Sequence, residues 1–341
     1  MLIEKNIHGR AILTHRELEE IRHTADRSML LFITDRCPVG CAHCSVDSRI
    51  DSPKITDFDL FERIVSWIAK KERLEVVAIS GGEPFVEKRA LLHASARFRD
   101  ANKKIVVFTS GVWASAKRIP DWIDTVLGRV DTVYLSTDAF HQDAVDETAF
   151  AQAAQTVVSS NCWLIIQALD QGEGEQKAVT LLQRALGNDY RRFAEINITR
   201  PLDNGRGANV FHVPKRLSPE DIAPCHLIRN PMIRYDGRVS ACCNEDVIMG
   251  LGPDQLRCSG NEDVQFDQAI ADFNSNPMLN VVGGIGLGLL TQHPAFSALT
   301  DGRIASTCDL CWKALDMSKT VSRDDPLLNI LAALPGKGEG Q

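Results

Sequence analysis

Six short apolar runs between residue 29 and about residue 200, separated by amphipathic stretches, constrain this 341-residue chain more than any other feature. The runs fall at 29–34, 76–80, 104–109, 132–137, 163–167 and 194–199, and each has the length and β-branched content of a buried strand. The stretches between them carry helical periodicity. In the segment opening near Thr56, for example, Leu60, Phe61, Ile64, Val65 and Ile68 fall on one face. Strand and helix in repeated alternation imply an α/β fold, with a parallel sheet joined by right-handed crossovers.

Length allows one large domain or a main domain with a smaller companion, and a hydrophobic content of 44% supplies a sizeable core. A net charge of -7 and a pI near 5.7 argue against a nucleic-acid partner, since phosphate recognition relies on clustered Lys and Arg. Arg191-Arg192 is too short a cluster to change this and reads as a solvated pair at a helix end. Residues 1–10 lack the apolar centre of a signal peptide, and no apolar span is long enough to cross a bilayer. The expectation is a soluble, cytoplasmic protein without a membrane partner. Ten cysteines in such a chain read as metal or cluster ligands rather than disulfides.

Three of those cysteines stand in one loop, Cys37-Pro38-Val39-Gly40-Cys41-Ala42-His43-Cys44, directly after the first run. Spacings of four and three residues let the loop wrap three thiolates around one face of a cubic iron-sulfur cluster and leave the fourth iron open. The sulfurs then sit at the C-terminal end of a strand, where parallel α/β folds build their active sites. A zinc knuckle, or three unrelated buried cysteines, is the alternative; structural zinc takes four protein ligands, and this loop has no fourth cysteine. His43 reads as a solvent-facing loop residue. At the end of the second run, Ser80-Gly81-Gly82-Glu83-Pro84 offers two glycines that let backbone approach a ligand closely, and a carboxylate able to accept from an ammonium group.

The CxxxCxxC loop after a strand, followed one strand later by Gly81-Gly82-Glu83, resembles the signature of the radical S-adenosylmethionine (radical SAM) enzymes. That resemblance implies a partial (β/α)6 barrel of the TIM type, with a 4Fe-4S cluster on Cys37, Cys41 and Cys44 and SAM chelated to the open iron. It also implies that Gly81, Gly82 and Glu83 hold the methionyl amino group and that flavodoxin or ferredoxin supplies electrons. Reductive cleavage of SAM then gives a 5'-deoxyadenosyl radical. Ser136 and Asp138, at the end of the fourth run, are similar in position to polar groups around SAM or substrate in relatives. Arg206, in 201–207, is similar to a Gly-Arg-small element and is assigned to the SAM carboxylate, which its fork matches. Each of these also reads as a turn residue satisfying local backbone. His141 has the chemistry of an acid or base near neutral pH, but as a lone loop histidine it reads as a surface residue or one standing behind the site.

The alternation stops near Pro201, and the remainder is loop-rich with six of the ten cysteines. Cys225, Gly237, Cys242 and the later Cys308-Asp309-Leu310-Cys311 are similar to the opening of the SPASM/twitch pattern, in its shorter twitch form. This implies an auxiliary 4Fe-4S cluster on Cys225, Cys242, Cys308 and Cys311; a four-cysteine zinc site satisfies the same spacing. Cys243 is a spare ligand or, by resemblance to certain epimerases, a thiol that returns hydrogen to a carbon radical. Cys258 is a weaker candidate for either role, and Cys162 reads as core. The Gly-rich run 281–288 fails the dinucleotide spacing and reads as a mobile cover over the substrate.

The organisation expected is a lead-in (1–28), a radical SAM core (29–214), an auxiliary-cluster domain (215–334) and a frayed tail (335–341). The lead-in reads as a helix or hairpin with Leu18, Ile21 and Ile12 turned to the barrel. By resemblance the enzyme removes hydrogen from a ribosomal peptide, giving epimerisation, oxidation or cross-linking. The alternative is a dehydrogenase, epimerase or decarboxylase acting on a sugar or nucleoside antibiotic intermediate. A reading of another class is a zinc or iron-sulfur scaffold without catalysis.

Overall fold

The computed structural model describes residues 6–7, 10–138, 140–141, 144–322 and 324–334; the expected tail lies outside them. The chain divides into two units, one reaching to Phe211 and including Ile233–Gly237, the other formed by His212–Met232 and the residues from Arg238 on.

In the first unit a two-residue hairpin, β1 (Asn6–Ile7) against β2 (Arg10–Ala11), leads to helix α1 (His15–Arg22). Then strand and helix alternate: β3 (Ser28–Phe32), α2 (Phe58–Ala69), β4 (Val76–Ser80), α3 (Lys88–Asp100), β5 (Lys104–Thr109), α4 (Asp121–Leu127), β6 (Thr132–Ser136), α5 (Glu147–Ser159), β7 (Trp163–Leu169), α6 (Gly174–Leu186) and β8 (Ala194–Thr199). Strands β3 to β8 are parallel and adjacent in chain order, with Ser28 opposite Val76, Val77 opposite Ile105, Val107 opposite Val133, Tyr134 opposite Ile165 and Ile166 opposite Ile196. This is the six-stranded parallel sheet of a partial TIM barrel, as the alternation predicts. The ends shift slightly. β3 stops at Phe32, although Ile33 N–H still donates to the Ser80 carbonyl (2.9 Å), because Thr34 turns its carbonyl to Gly82 N–H (2.7 Å). β7 runs on to Leu169 because β8 stays in register with it to Thr199.

Helix α2 begins where Asp57 accepts from Leu60 N–H, and it buries Phe61, Ile64, Val65, Trp67 and Ile68. Leu60, placed on the apolar face from the sequence, is only half-buried, and Trp67 fills the core instead. The lead-in closes one end of the sheet. Ile12, Leu13, Leu18 and Ile21 pack with Val76, Val106, Tyr134, Trp163 and Ile165 in one buried cluster. Polar bonds fix it there: Thr14 and Glu17 form a capping box, and Glu195 on β8 accepts from both His15 N–H and Trp163 Nε1–H at 2.7 Å. Because Val76 and Trp163 open their strands, the plug sits at the N-terminal end and leaves the C-terminal ends for chemistry. Strand β9 (Met232–Arg234) borders β3 on its other side, where Tyr235 N–H donates to the Phe32 carbonyl (2.9 Å).

The second unit holds the antiparallel pair β10 (Arg238–Ser240) and β11 (Arg257–Ser259), with α7 (Glu245–Ile248) between them in sequence. Helices α8 (Asp263–Ser275), α9 (Pro277–Gly283), α10 (Leu287–Leu290), α11 (Thr307–Ser318) and α12 (Pro326–Ala333) follow. The Gly-rich run is not the mobile cover expected of it. It is the packed junction of α9 and α10, with Val281 and Val282 buried. A Cβ on Gly286 (φ +85°) would lie 2.9 Å from Pro224 N, and one on Gly288 would lie 2.5 Å from the Glu220 carbonyl oxygen. The glycines are there for backbone contact. Among the described residues no helix is long and apolar enough to cross a membrane.

Candidate active site

Cys37, Cys41 and Cys44 leave the C-terminal end of β3 in one loop, all as free thiols, the first two buried. Ser48 N–H donates to Cys44 Sγ at 3.4 Å, and the backbone N–H groups of Val39 and Gly40 and the His141 ring stand near enough to Cys37 and Cys41 to favour their thiolates. Burial pushes the Cys37 thiol up to about 12, and those backbone donors pull the other way by favouring the thiolate. N–H donors aimed at sulfur are what a thiolate-bound cluster uses to spread its charge. Two buried polar atoms beside the loop, His43 Nδ1 and Ser48 Oγ, have no hydrogen-bond partner among the described residues, as at a site that a bound group completes. The donor set therefore fits an iron-sulfur cluster better than it fits a plain core.

The turn after β4 is pressed against this loop. Gly81 and Gly82 lie on the backbone of residues 34–36: a Cβ on Gly82 would stand 2.4 Å from the Arg36 carbonyl oxygen, and one on Gly81 2.7 Å from that of Thr34. Glu83 is fully buried. Its Oε1 accepts from Phe85 N–H (3.1 Å) and the Thr109 hydroxyl (2.8 Å), and its Oε2 from Ser110 N–H (2.8 Å) and the Ser110 hydroxyl (2.6 Å). Burial pushes its pKa up, and the four donors oppose that rise. The ends of β4 and β5 are thus welded through one carboxylate.

Ser136 closes β6, half-buried, and Asp138 follows it. Asp138 accepts from Phe140 N–H and from His141 Nδ1 (both 2.8 Å), and it lies 3.4 Å from His43 Nε2. His43 is not the solvent-facing residue expected: its ring packs among Phe140, His141 and Phe211. Burial lowers its pKa, with Asp138 opposing. For His141 burial also opposes the charge, but the hydrogen bonds to Asp138 and Cys41 outweigh it and hold the imidazole protonated above its ordinary range. Asp138 stays ionised against burial because His141 donates to it. Atoms of His43, Asp138 and His141 lie within 4.8 Å of one another, a set able to ligate a metal, and His141 stands near enough to Cys41 to favour its thiolate. The sequence flagged the residue types here; it gave no sign that His43 and His141 meet.

Arg206 is turned onto the cysteine loop. Its Nε and Nη2 donate to the Cys41 carbonyl (3.0 and 2.7 Å), and its Nη1 to Asp47 Oδ1 (2.6 Å) and the Ser48 carbonyl (3.0 Å). Asp35, two residues before Cys37, is buried and takes a two-pronged bond from Arg234 (2.9 and 2.8 Å) and another from the Tyr235 hydroxyl (2.8 Å). Nothing in the spacing of Asp35 and Arg234 announced that pair.

In the second unit, burial first and neighbouring thiols next push up the pKa values of Cys242, Cys308 and Cys311, Cys308 to about 12. Cys308 is coupled to Cys225 and Cys243, Cys311 to Cys308 and Cys225, and Cys242 to Cys243, Cys308 and Cys311. Thiols from distant points in the sequence therefore gather in one place. Asn244 opposes the rise at both Cys242 and Cys308, favouring their thiolates. Cys225 N–H donates to the Val282 carbonyl (2.8 Å), so the end of α9 positions Cys225. This set suits an iron-sulfur cluster or zinc. Cys243 is half-buried beside it; Cys258 sits on β11 opposite Val239, and Cys162 is core, its sulfur on the Leu127 and Val130 carbonyls.

Residues 31–158 match the family model described as "Radical SAM superfamily". Over 309 residues, 87% of this chain and 94% of the other, the sequence is 19% identical to "Putative peptide biosynthesis protein YydG" of Bacillus subtilis (strain 168). Among solved structures, native anSMEcpe with bound AdoMet and Cp18Cys peptide superposes with a TM-score of 0.52 at 12% identity, covering 89% of this chain and 98% of that one. Streptococcus suis SuiB bound to precursor peptide SuiA gives 0.46 at 16% identity, covering 74% and 68%. The former is a likeness of fold; the latter is too loose to carry an argument.

Proposed function

Because this chain is a radical SAM enzyme, we propose that it takes a hydrogen atom from a ribosomally made peptide, with Cys37, Cys41 and Cys44 as the ligands of its SAM-binding 4Fe-4S cluster. The observation that carries the ligand assignment is the placing of three free thiols in one loop at the C-terminal end of the parallel sheet, beside His43 Nδ1 and Ser48 Oγ, which have no partner among the described residues. A cluster held there by Cys37, Cys41 and Cys44 would supply the one electron that cleaves SAM to methionine and a 5'-deoxyadenosyl radical. The chain's own part is to hold the loop rigid. Gly81 and Gly82 bring backbone up to it, and His141, oriented by Asp138, steadies Cys41. A peptide is favoured over a sugar or nucleoside by the similarity across nearly the whole length of a protein named for peptide biosynthesis. A cytoplasmic setting suits the ten free thiols, which a reducing compartment preserves.

Cys225, Cys242, Cys308 and Cys311 are the proposed ligands of an auxiliary cluster. Their mutual coupling supports this reading. Cys243 is the proposed hydrogen donor: its S–H hydrogen passes to the substrate carbon, leaving a sulfur radical that one electron and one proton reset. Anaerobic reconstitution followed by dithionite and SAM tests the first step, and absence of 5'-deoxyadenosine from protein with an intact first cluster would return the chain to the scaffold class. Co-expression with a short precursor peptide in heavy water tests the second. Epimerisation adds one deuterium at an inverted centre and is lost in Cys243→Ala; oxidation or cross-linking removes two hydrogens and survives that change.

A further inference from the structure

The six-stranded sheet is open: β3 and β8 lie at opposite ends of the parallel run and do not pair with each other. The segments that leave their C-terminal ends nevertheless meet, and they meet at the cysteine loop. We propose that Arg206, seated by Gly205 and Gly207, is a positioning residue that latches the segment after β8 onto the loop after β3 and holds Cys41 and Cys44 ready for the cluster.

The contacts are dense and fall on backbone. Arg206 donates twice to the Cys41 carbonyl, once to the Ser48 carbonyl and once to Asp47, while its own N–H donates to the Cys44 carbonyl at 2.9 Å. The loop is therefore gripped at residues 41, 44, 47 and 48, on both sides of the third cysteine. Its side chain is largely covered, at 14% exposure, and a fixed planar fork suits several carbonyls at once in a way a lysine ammonium does not. The flanking glycines let the strands of chain come this close. Gly205 has φ +54°, and a Cβ there would fall 2.6 Å from the Ser45 carbonyl oxygen and 2.7 Å from that of Cys44; one on Gly207 would fall 3.1 Å from the His43 carbonyl oxygen. A guanidinium committed to the loop in this way acts on SAM through the cysteines rather than by gripping its carboxylate.

The latch rests on the assignment of Cys37, Cys41 and Cys44 as cluster ligands, but its first test needs no cluster. Hydrogen exchange of the metal-free full chain is compared among wild type, Arg206→Lys and Arg206→Ala. Amides of residues 41–48 are expected to exchange about tenfold faster in Arg206→Ala and by a smaller factor in Arg206→Lys, with β5 and α2 unchanged, because a local opening has been released. After anaerobic reconstitution, Arg206→Ala is expected to lose the electron paramagnetic resonance signal that responds to SAM and keep the one that does not. Unchanged exchange at 41–48 with a full cluster and a raised KM for SAM would make Arg206 a carboxylate binder and overturn the latch. Faster exchange throughout the first unit in both variants would overturn it too, by assigning Arg206 to general stability.

Discussion

At the scale of single residues, the site is held by buried charges whose partners come from far along the chain. Asp35 is the sharpest case. It is buried two residues before Cys37 and receives both prongs of Arg234 and the Tyr235 hydroxyl, while the Arg234 guanidinium also lies over the Phe32 ring. Breaking a buried pair from one side strands the other charge, so Asp35→Ala is expected to cost about 3–5 kcal/mol in urea denaturation. Replacing both partners by apolar residues of similar volume, Asp35→Leu with Arg234→Met, recovers most of it, and a double variant as unstable as the single one would show that the pair does more than neutralise itself. The same distance in sequence hid the true setting of Glu83. Its place in a Gly-Gly-Glu turn marked it as an acceptor, but both its oxygens are filled by Phe85, Thr109 and Ser110, two of them at the end of the next strand. A one-dimensional pattern shows that a carboxylate stands at a strand end; it does not show which hydroxyls the neighbouring strand brings there.

At the scale of elements, periodicity was legible and backbone-on-backbone packing was not. The six strands were readable to within two residues or so because each is buried, short and bounded by turn residues. The run 281–288 was misread because glycines that permit motion and glycines that permit close packing look alike in sequence; only the Glu220–Pro224 backbone beside them tells the two apart. The turn after β4 belongs to the packing class. Gly82 donates its N–H to the Thr34 carbonyl at 2.7 Å, Glu83 N–H to that of Arg36 at 2.9 Å, and a Cβ on Gly82 would press on Arg36 oxygen and carbon at 2.4 and 2.7 Å. These contacts are with backbone, which cannot swing aside. Gly82→Ala is therefore expected to push the 34–36 segment away and misplace Cys37, so that iron bound at the first site falls severalfold while far-ultraviolet circular dichroism stays near wild type. Thr14→Ala, at the opposite end of the sheet, removes one side of the α1 capping box and is expected to cost about 1 kcal/mol of stability, read from denaturant midpoints, with cluster content unchanged. The contrast separates the end of the sheet that makes the fold from the end that makes the site.

At the scale of the whole molecule, the two cysteine sets belong to different units of the chain, which permits their removal one at a time. In the first unit the sulfurs lie in a loop laid over finished secondary structure, so Cys37→Ala/Cys41→Ala/Cys44→Ala is expected to leave the fold intact. That variant should bind about half the iron and sulfide of wild type, one cubic cluster instead of two, and form no 5'-deoxyadenosine. In the second unit two of the thiols are built into secondary structure, since Cys308 and Cys311 lie within α11. Metal bound by the proposed ligand set there would contribute folding free energy as well as chemistry. Replacing Cys225, Cys242, Cys308 and Cys311 by alanine should therefore lower the denaturation midpoint of the second unit, and it should do so only when compared with metal-loaded wild type. With the first cluster untouched, that variant should still cleave SAM but leave the peptide unmodified. Two results would break the assignment. Full iron content in the second variant would remove those cysteines from cluster binding, and zinc in place of iron at an undisturbed second unit would make the site a structural clamp, leaving electron transfer in the reaction to some other group.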